Sequence, residues 1–585
     1  MQKKKPIHSF HIPVMGLAFT VDSPIKVAQY GISSVVSIVD DILIEKMNAF
    51  YSKEYNLPFQ TYGNKDIDAR AKRITSYLNN VDTIVKQKFK EFKLSLSEKK
   101  EVLENFLELL PEFSELKNNL LNLIEKNSSK EVLQKWIQDN LSPGNIDVNI
   151  MTKLDNERYQ NNEQLPAMYN DAHTALKGFA ESTLQSSIVL SAGMNPRLYS
   201  YFENFEDFYP TKQDILSKKI ILKVSDYRSA MIQGQFFAKK GLWVSEYRIE
   251  SGLNCGGHAF ATEGLLLGPI LDTFKENKED LITKTFETYT KALEAKGKYI
   301  PSTPLSLDIT VQGGVGTADE HQFLLDKYKV DSIGWGSPFL LVPEATTVDT
   351  ETRTILEKAK EKDLYLSNIS PLGVPFNSVR NSTNEQYKTE RLKQDKIGSS
   401  CPKKFLASNK KYTEKSVCTA SQKFQQLEID NLKSENLSPE SYRAKFDKIT
   451  EKSCLCIGLA NAGLIETKNE AKEVQQGVLV CPGPNLAYFD KKLSLKSMVQ
   501  HIYGKTDVLG STVRPHMFVK ELEMYVNYFN DKLAIFVNSP DKKQEKYLNK
   551  FHKNLMEGIQ YYLEVFESNK NKLAIERLKT NIQSI

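Results

Sequence analysis

Residues 306–345, SLDITVQGGVGTADEHQFLLDKYKVDSIGWGSPFLLVPEA, restrict the fold more than any other part of this chain. Leu307, Ile309 and Val311 alternate with polar residues in a β-rich run, the pattern of a strand. Gln312, Gly313, Gly314 and Gly316 follow at once. Thr317, Ala318 and Asp319 can start a helix that carries Phe323, Leu324 and Leu325. Residues 330–333 read as a second strand, closed by Gly334, Gly336 and Ser337. Two strand-to-glycine turns side by side gather backbone N–H groups near a helix N-terminus, where an anion is stabilised. Glycines after strands also serve as plain turns, so the phosphate reading needs support from the rest of the chain.

That support is the strand rhythm. Residues 11–16 and 32–38 are short apolar runs with a helix start at Ser23-Pro24 between them and Gly31 closing it. Further strand candidates are residues 147–151, 187–191, 219–224 and 242–247. With the two in 306–345 they make eight, mostly separated by helical segments, and eight closes a (β/α)₈ barrel. In such a barrel the loops after strands 7 and 8 hold a ligand's phosphate. The candidate near Trp243 leads into Gly252-Leu253-Asn254-Cys255-Gly256-Gly257-His258. Gly256 and Gly257 let the backbone approach a ligand closely. His258 then stands at the C-terminal end of a strand, where it can give or take a proton near neutral pH. The alternative is a structural histidine that satisfies a loop carbonyl.

The rhythm stops between residues 64 and 140. Ile74, Tyr77, Leu78, Val81, Val85, Phe89 and Phe92 recur at helical spacing, and Ser95 with Glu98 reads as a capping box opening a second helix. Two more helices follow near 116–124 and 131–139. The predicted organisation is a barrel over 1–63 and 141–385, a helical insertion over 64–140, and an α-rich C-terminal domain over 386–585. Residues 533–537 could be a strand or a helix end, and the basic tail from Ser568 is expected to fray or dock weakly.

The chain has 585 residues, 40% hydrophobic and 26% charged, with a net charge of +5. That charge makes no case for nucleic acid, and no apolar run reaches the roughly 18 residues of a membrane span. The start has no long apolar segment of an export signal, and six cysteines make no disulfide framework. A reducing cytoplasm is the expected compartment. Cys401, Cys418, Cys454 and Cys456 fall close together in sequence, a candidate set for zinc or an iron–sulfur cluster, with Cys481 nearby. Their spacing fits neither a zinc ribbon nor a ferredoxin, and buried free thiols, with Cys454 and Cys456 on one face of a strand, are the other reading.

In this order the segments resemble the nitronate monooxygenase family, also called 2-nitropropane dioxygenases, whose near relatives are flavin-dependent enoyl-acyl-carrier-protein reductases. Residues 12–16 resemble the family's first strand, where Met15 and Gly16 would meet flavin. Asn149 is similar to the asparagine that ends its third strand near the cofactor. Residues 252–258 resemble its Gly-x-Glu-Ala-Gly-Gly-His turn, with Asn254 for the glutamate, Cys255 for the alanine and Ala259 where arginine is common. Gln312-Gly313-Gly314 resembles its Ala-Gly-Gly phosphate loop. Gly334-Trp335-Gly336-Ser337-Pro338-Phe339 resembles its Gly-Thr-Arg-Phe segment, with Pro338 in place of arginine. The resemblance implies FMN at the barrel mouth, with its phosphate at Gly313, Gly314, Gly336 and Ser337 and with Gly256, Gly257, Gln312 and Gly334 beside it. It implies His258 as the proton-transfer residue for a small-molecule substrate, with oxygen or a nicotinamide completing the cycle. Two alternatives are an enoyl reductase on a carrier-bound acyl chain, and a barrel that binds a phosphate ligand without catalysis.

Overall fold

The computed structural model describes residues 6–63, 65–112, 114–152, 154–191, 193–250, 252–259, 263–469, 471–566 and 570–582. Eight strands form a closed, all-parallel barrel: β1 (Phe10–Ile12), β2 (Ser33–Ser37), β3 (Ile146–Ile150), β4 (Ser187–Leu190), β5 (Lys219–Val224), β6 (Val244–Glu250), β7 (Asp308–Gln312) and β8 (Ser332–Gly334). They neighbour one another in chain order, and β1 pairs with β8 through Phe10 and Ile333 to close the ring. Each is one of the eight candidates read from periodicity. Apolar side chains such as Val36, Val148, Ile188 and Val311 are fully buried, as strands covered on both faces require.

Between β1 and β2 lies the short α1 (Ser23–Val27), and α2 (Asp41–Glu54) follows β2. The stretch expected to be a helical insertion holds α3 (Ala69–Glu98), α4 (Lys100–Leu109), α5 (Glu115–Glu125) and α6 (Lys130–Asn140). Ser95 does not cap a second helix: α3 runs on through Glu98, and α4 starts after Lys99. The first half of α3 buries Ile74, Tyr77, Leu78 and Val81 in the main core, while Phe89 and Leu96 join Phe106, Leu120 and Ile137 in a separate apolar cluster.

The barrel helices continue with α7 (Asp171–Ala180), α8 (Pro196–Tyr201), α9 (Tyr227–Ala238), α10 (Leu267–Ala295), α11 (Ala318–Tyr328) and α12 (Thr350–Lys358). A two-stranded antiparallel hairpin, β9 (Leu364–Ser367) with β10 (Phe376–Val379), crosses the mouth. Beyond it the chain is helical: α13 (Thr383–Lys393), α14 (Gln422–Ser434), α15 (Pro439–Thr450), α16 (Leu455–Gly458), α17 (Asn461–Glu466), α18 (Leu495–Ile502), α19 (Met517–Asn538), α20 (Lys542–Val565) and α21 (Lys570–Thr580). Residues 533–537 belong to α19, not to a strand. Ser568 lies outside the described residues, but residues 570–580 beyond it form the helix α21, which buries Ile575. Phe518, Leu522 and Tyr562 of the C-terminal helices lie in the same continuous hydrophobic core as the barrel. No helix among the described residues is long and apolar enough to cross a membrane.

Candidate active site

A cavity of 450 Å³ opens at the C-terminal ends of the barrel strands. It brings together Met15 and Gly16 after β1, Asn149 of β3, Lys223 of β5, Glu250 of β6, and Gly256, Gly257 and His258 of the turn after β6. The buried side-chain oxygen of Asn149 has no hydrogen-bond partner among the described residues. A buried acceptor left unpaired costs free energy, which a ligand donor would recover. Lys223 Nζ lies 3.3 Å from Glu250 Oε2, and Gln312 Nε2 donates to the other oxygen of Glu250 at 2.9 Å. Lys223 and Glu250 were not singled out in the sequence; their place at the ends of barrel strands was the available signal.

The turn after β6 is organised by Asn254. Its side-chain N–H donates to the carbonyl of His258 at 2.6 Å, and its oxygen accepts from the backbone of Gly256 and from Asn377. The asparagine therefore shapes the loop from within. His258 is half-buried, its Nε2 lies 2.7 Å from Ser370 Oγ, and its ring meets Phe376 edge-on. Ser370, wholly buried, fixes the imidazole from a loop more than a hundred residues away.

The two glycines of this turn have different surroundings. A Cβ on Gly257 would meet nothing within 4 Å, so its backbone is open to the cavity. A Cβ on Gly256 would stand 1.9 Å from the carbonyl oxygen of Cys481. What approaches Gly256 closely is the protein's own C-terminal segment, which also accepts a hydrogen bond from Gly257 N at 3.2 Å.

The same segment covers the candidate phosphate turns. Gly313 and Gly314 both have positive φ, but they pack on Leu253 and Asn254. Gly336 packs on Cys255, whose thiol is pushed up by burial. Ser337 Oγ donates to the carbonyl of Cys255 at 3.0 Å and accepts from Gly483 N at 2.7 Å. Asn485 donates to Val315 O at 2.6 Å, and Arg514 reaches Gly314 O, Asn485 and, at 2.6 Å, Glu320. Gln312, Gly313, Gly314, Gly334, Gly336 and Ser337 thus stand behind the cavity wall, apart from the group that lines it.

The metal expectation is corrected. Cys401, Cys418, Cys454 and Cys456 are buried and free, and no group of three or more His, Cys, Asp or Glu among the described residues is arranged to hold a metal ion. The thiols pair instead. Cys418 hydrogen-bonds Cys401, and Cys456 hydrogen-bonds Cys454, which brings the Cys454 thiol down to about 6 and raises that of Cys456. Nor do Cys454 and Cys456 share a strand: Cys454 caps the short helix α16 and Cys456 lies within it, lining the mouth cavity.

No family model matches the chain, and no curated protein matches it. Among solved structures it is similar to FabK from Thermotoga maritima, at 11% identity and a TM-score of 0.31 over 68% of this chain and 83% of that one. It is similar to the enoyl reductase domain of MlnA from the macrolactin biosynthesis cluster of Bacillus amyloliquefaciens, at 15% identity and a TM-score of 0.32 over 75% and 88%. A third likeness is to a nitroalkane oxidase from Streptomyces ansochromogenes, at 8% identity and a TM-score of 0.29 over 65% and 85%. The barrel itself rests on the strand order.

Proposed function

We propose that this chain is an FMN-dependent oxidoreductase, with the flavin ring in the mouth cavity and His258 as the proton-transfer residue. One observation carries the reading: the unpartnered oxygen of Asn149, the Lys223–Glu250 pair, the open backbone of Gly257 and the anchored His258 share one cavity at the barrel mouth. These residues fit a flat, hydrogen-bonding ring. Asn149 offers an acceptor and Lys223 a donor, and only a residue without Cβ at position 257 lets the ring lie against the backbone. The turns at Gly313-Gly314 and Gly336-Ser337, expected to hold the phosphate, do not fit it, because Leu253, Asn254, Cys255 and Gly483 already fill them. FMN, when bound, supplies the redox chemistry.

The chain's own residues supply the rest. Ser370 holds the imidazole of His258, and Asn254 holds its backbone, so the ring keeps one orientation toward the cavity. In a nitronate-monooxygenase-like reaction His258 takes an acidic C–H proton from the substrate. The walls formed by Leu17, Leu340, Leu372, Phe405 and Leu459 exclude water and suit a hydrocarbon portion of the substrate. That apolar wall favours a second reading, reduction of an enoyl acyl chain, in which His258 gives a proton to the developing carbanion.

The test is the visible spectrum of the purified protein. Bands near about 370 and 450 nm, released as free FMN on denaturation, are expected. A colourless protein that takes up no added FMN would overturn the flavin reading. Anaerobic bleaching by NADH identifies the reductase; bleaching only by an alkyl nitronate identifies the nitronate enzyme. The His258→Ala variant should retain flavin while turnover falls about 10²- to 10⁴-fold. Unchanged turnover would remove His258 from the mechanism.

A further inference from the structure

A second cavity, of 220 Å³, lies outside the barrel between α13, the start of α14 and the end of α15. Four cations line it: Lys388, Arg391, Lys396 and Lys452. No carboxylate side chain is among its described lining residues. Each cation donates to an uncharged acceptor: Lys388 to the carbonyl of Glu451, Arg391 to the carbonyl of Gly398 at 3.3 Å, Lys396 to the side chain of Gln394 at 2.9 Å, and Lys452 to the carbonyl of Asn368 at 2.6 Å. The carboxylates of Glu451 and Glu385, which act on Lys388, line a neighbouring cavity that Lys388 also borders, and Glu451 acts on Lys452 too. Gathering like charges with neutral partners is unfavourable, and an anion placed among them offsets the cost.

Three further features point the same way. The 13-residue helix α14 opens on this cavity with Gln422, so the positive end of its dipole faces the same space. Ser399, Ser400 and Ser453 line it and make its remaining wall polar, although the N–H groups of Ser399 and Ser453 already donate to Ala420 and Ile369 carbonyls. Burial brings Lys388 down to about 8, with Lys452 adding to the effect and Glu451 and Glu385 opposing it, so the ammonium is still charged at neutral pH. The far wall is Cys454. Two residues on, Cys456 lines the mouth cavity, so the two cavities flank the one short helix α16.

We propose that this cavity binds the phosphate group of a small organic phosphate, with Lys388, Arg391, Lys396 and Lys452 as its cationic ligands and Cys454 at the wall facing the barrel. A phosphate matches the site better than a carboxylate, because its several oxygens accept from the Arg391 fork and the ammonium groups at once. The phosphate could belong to a dinucleotide or to a phosphopantetheine arm, and both present the same group. The inference does not rest on the flavin reading.

The test is calorimetry on the full chain in low-salt, phosphate-free buffer with pyrophosphate, adenosine 2′,5′-bisphosphate and 4′-phosphopantetheine, and citrate as the carboxylate control. At least one phosphate probe should bind once per chain, more tightly than citrate and more weakly as salt is added. Joint replacement Lys388→Met and Arg391→Met should weaken it at least about tenfold, while Lys393→Met on the exposed side of α13 leaves it unchanged. Preference for the bisphosphate identifies a dinucleotide source, and preference for phosphopantetheine identifies a carrier arm. The proposal is overturned if no phosphate probe binds at about 10 mM, if citrate binds as well, or if the double variant binds equally. Should that variant not fold, alkylation of Cys454 in the unaltered protein, read by peptide mass, gives a second measure. The bound probe should slow it about tenfold, and an unchanged rate overturns the proposal.

Discussion

The two ends of the barrel both carry histidines beside a cavity, and they hold them in opposite ways. At the N-terminal end lies the larger space, 970 Å³, lined by His8, His11, His321, Glu246 and Arg248 among others. Trp335 Nε1 donates to His321 Nδ1 at 3.1 Å, so that nitrogen accepts and the proton sits on Nε2, which faces Ser9 Oγ at 2.9 Å. Burial brings His321 down to about 3 and His8 to about 4, and burial with Arg248 holds His11 well below the usual range. These imidazoles are locked neutral. At the mouth the cavity is less than half that size and mostly apolar, and His258 is half-buried beside an open glycine backbone. Cavity size therefore does not mark where proton transfer can occur. The three histidines at the N-terminal end are buried and held neutral, whereas His258 lines its cavity half-buried.

The largest expected effect tests the mouth. Gly256→Ala would drive a methyl group into the Cys481 carbonyl at a position whose φ is +122°. Neither backbone can retreat without breaking the seam, so stability should fall by more than about 3 kcal/mol, or soluble protein should be lost. A variant that unfolds at the unaltered midpoint in urea would show that this seam does not hold the mouth together.

Acidification tests the other end. The folded-state pKa of His8 lies below the unfolded value of 6.5, so the unfolded chain binds more protons and stability falls as pH falls. Between pH 6.5 and about 4 this one group should account for about 3 kcal/mol, with His321 adding to the loss down to about pH 3. Urea midpoints at pH 7 and pH 4.5 measure it. A His8→Gln variant should lose less stability across that interval, and an equal loss in both proteins would remove His8 from the acid transition.

Smaller effects separate orientation from contact at the mouth. Ser370→Ala leaves both Nε2 of His258 and the N–H of Leu372 without the hydroxyl, so turnover should drop about tenfold with a shifted pH profile, beside a stability loss of about 1 kcal/mol. A purely structural serine would lower stability and leave the profile in place. Gly257→Ala meets no atom, but at a φ of +79° it should cost about 1 kcal/mol. On the proposed function it also lowers flavin content, and full flavin content would place the ring elsewhere.

Much of the fold could be read locally. Strand alternation and helical spacing are properties of neighbouring residues, and all eight barrel strands were visible through them. The capping box at Ser95 misled because its residues also fit a helix interior, and the packing of α3 decided the matter. The glycine turns were equally visible, and each does mark a close approach. What approaches was not legible. Gly256 meets Cys481, and Gly336 meets Cys255. The cysteines were legible as a cluster but not as two hydrogen-bonded pairs, since that depends on how the loops carrying Cys401 and Cys418 fold against each other and on where α16 begins.

By itself, the sequence determined the barrel, the helices between β2 and β3, and the placing of His258 and Asn149 near strand ends, because periodicity and turn chemistry act over a few residues. Only the tertiary structure decided which glycines face a cavity, which are filled by the C-terminal segment, and which cations share a space without a carboxylate. Those outcomes depend on contacts between segments distant in the chain, and such contacts leave no local pattern to read.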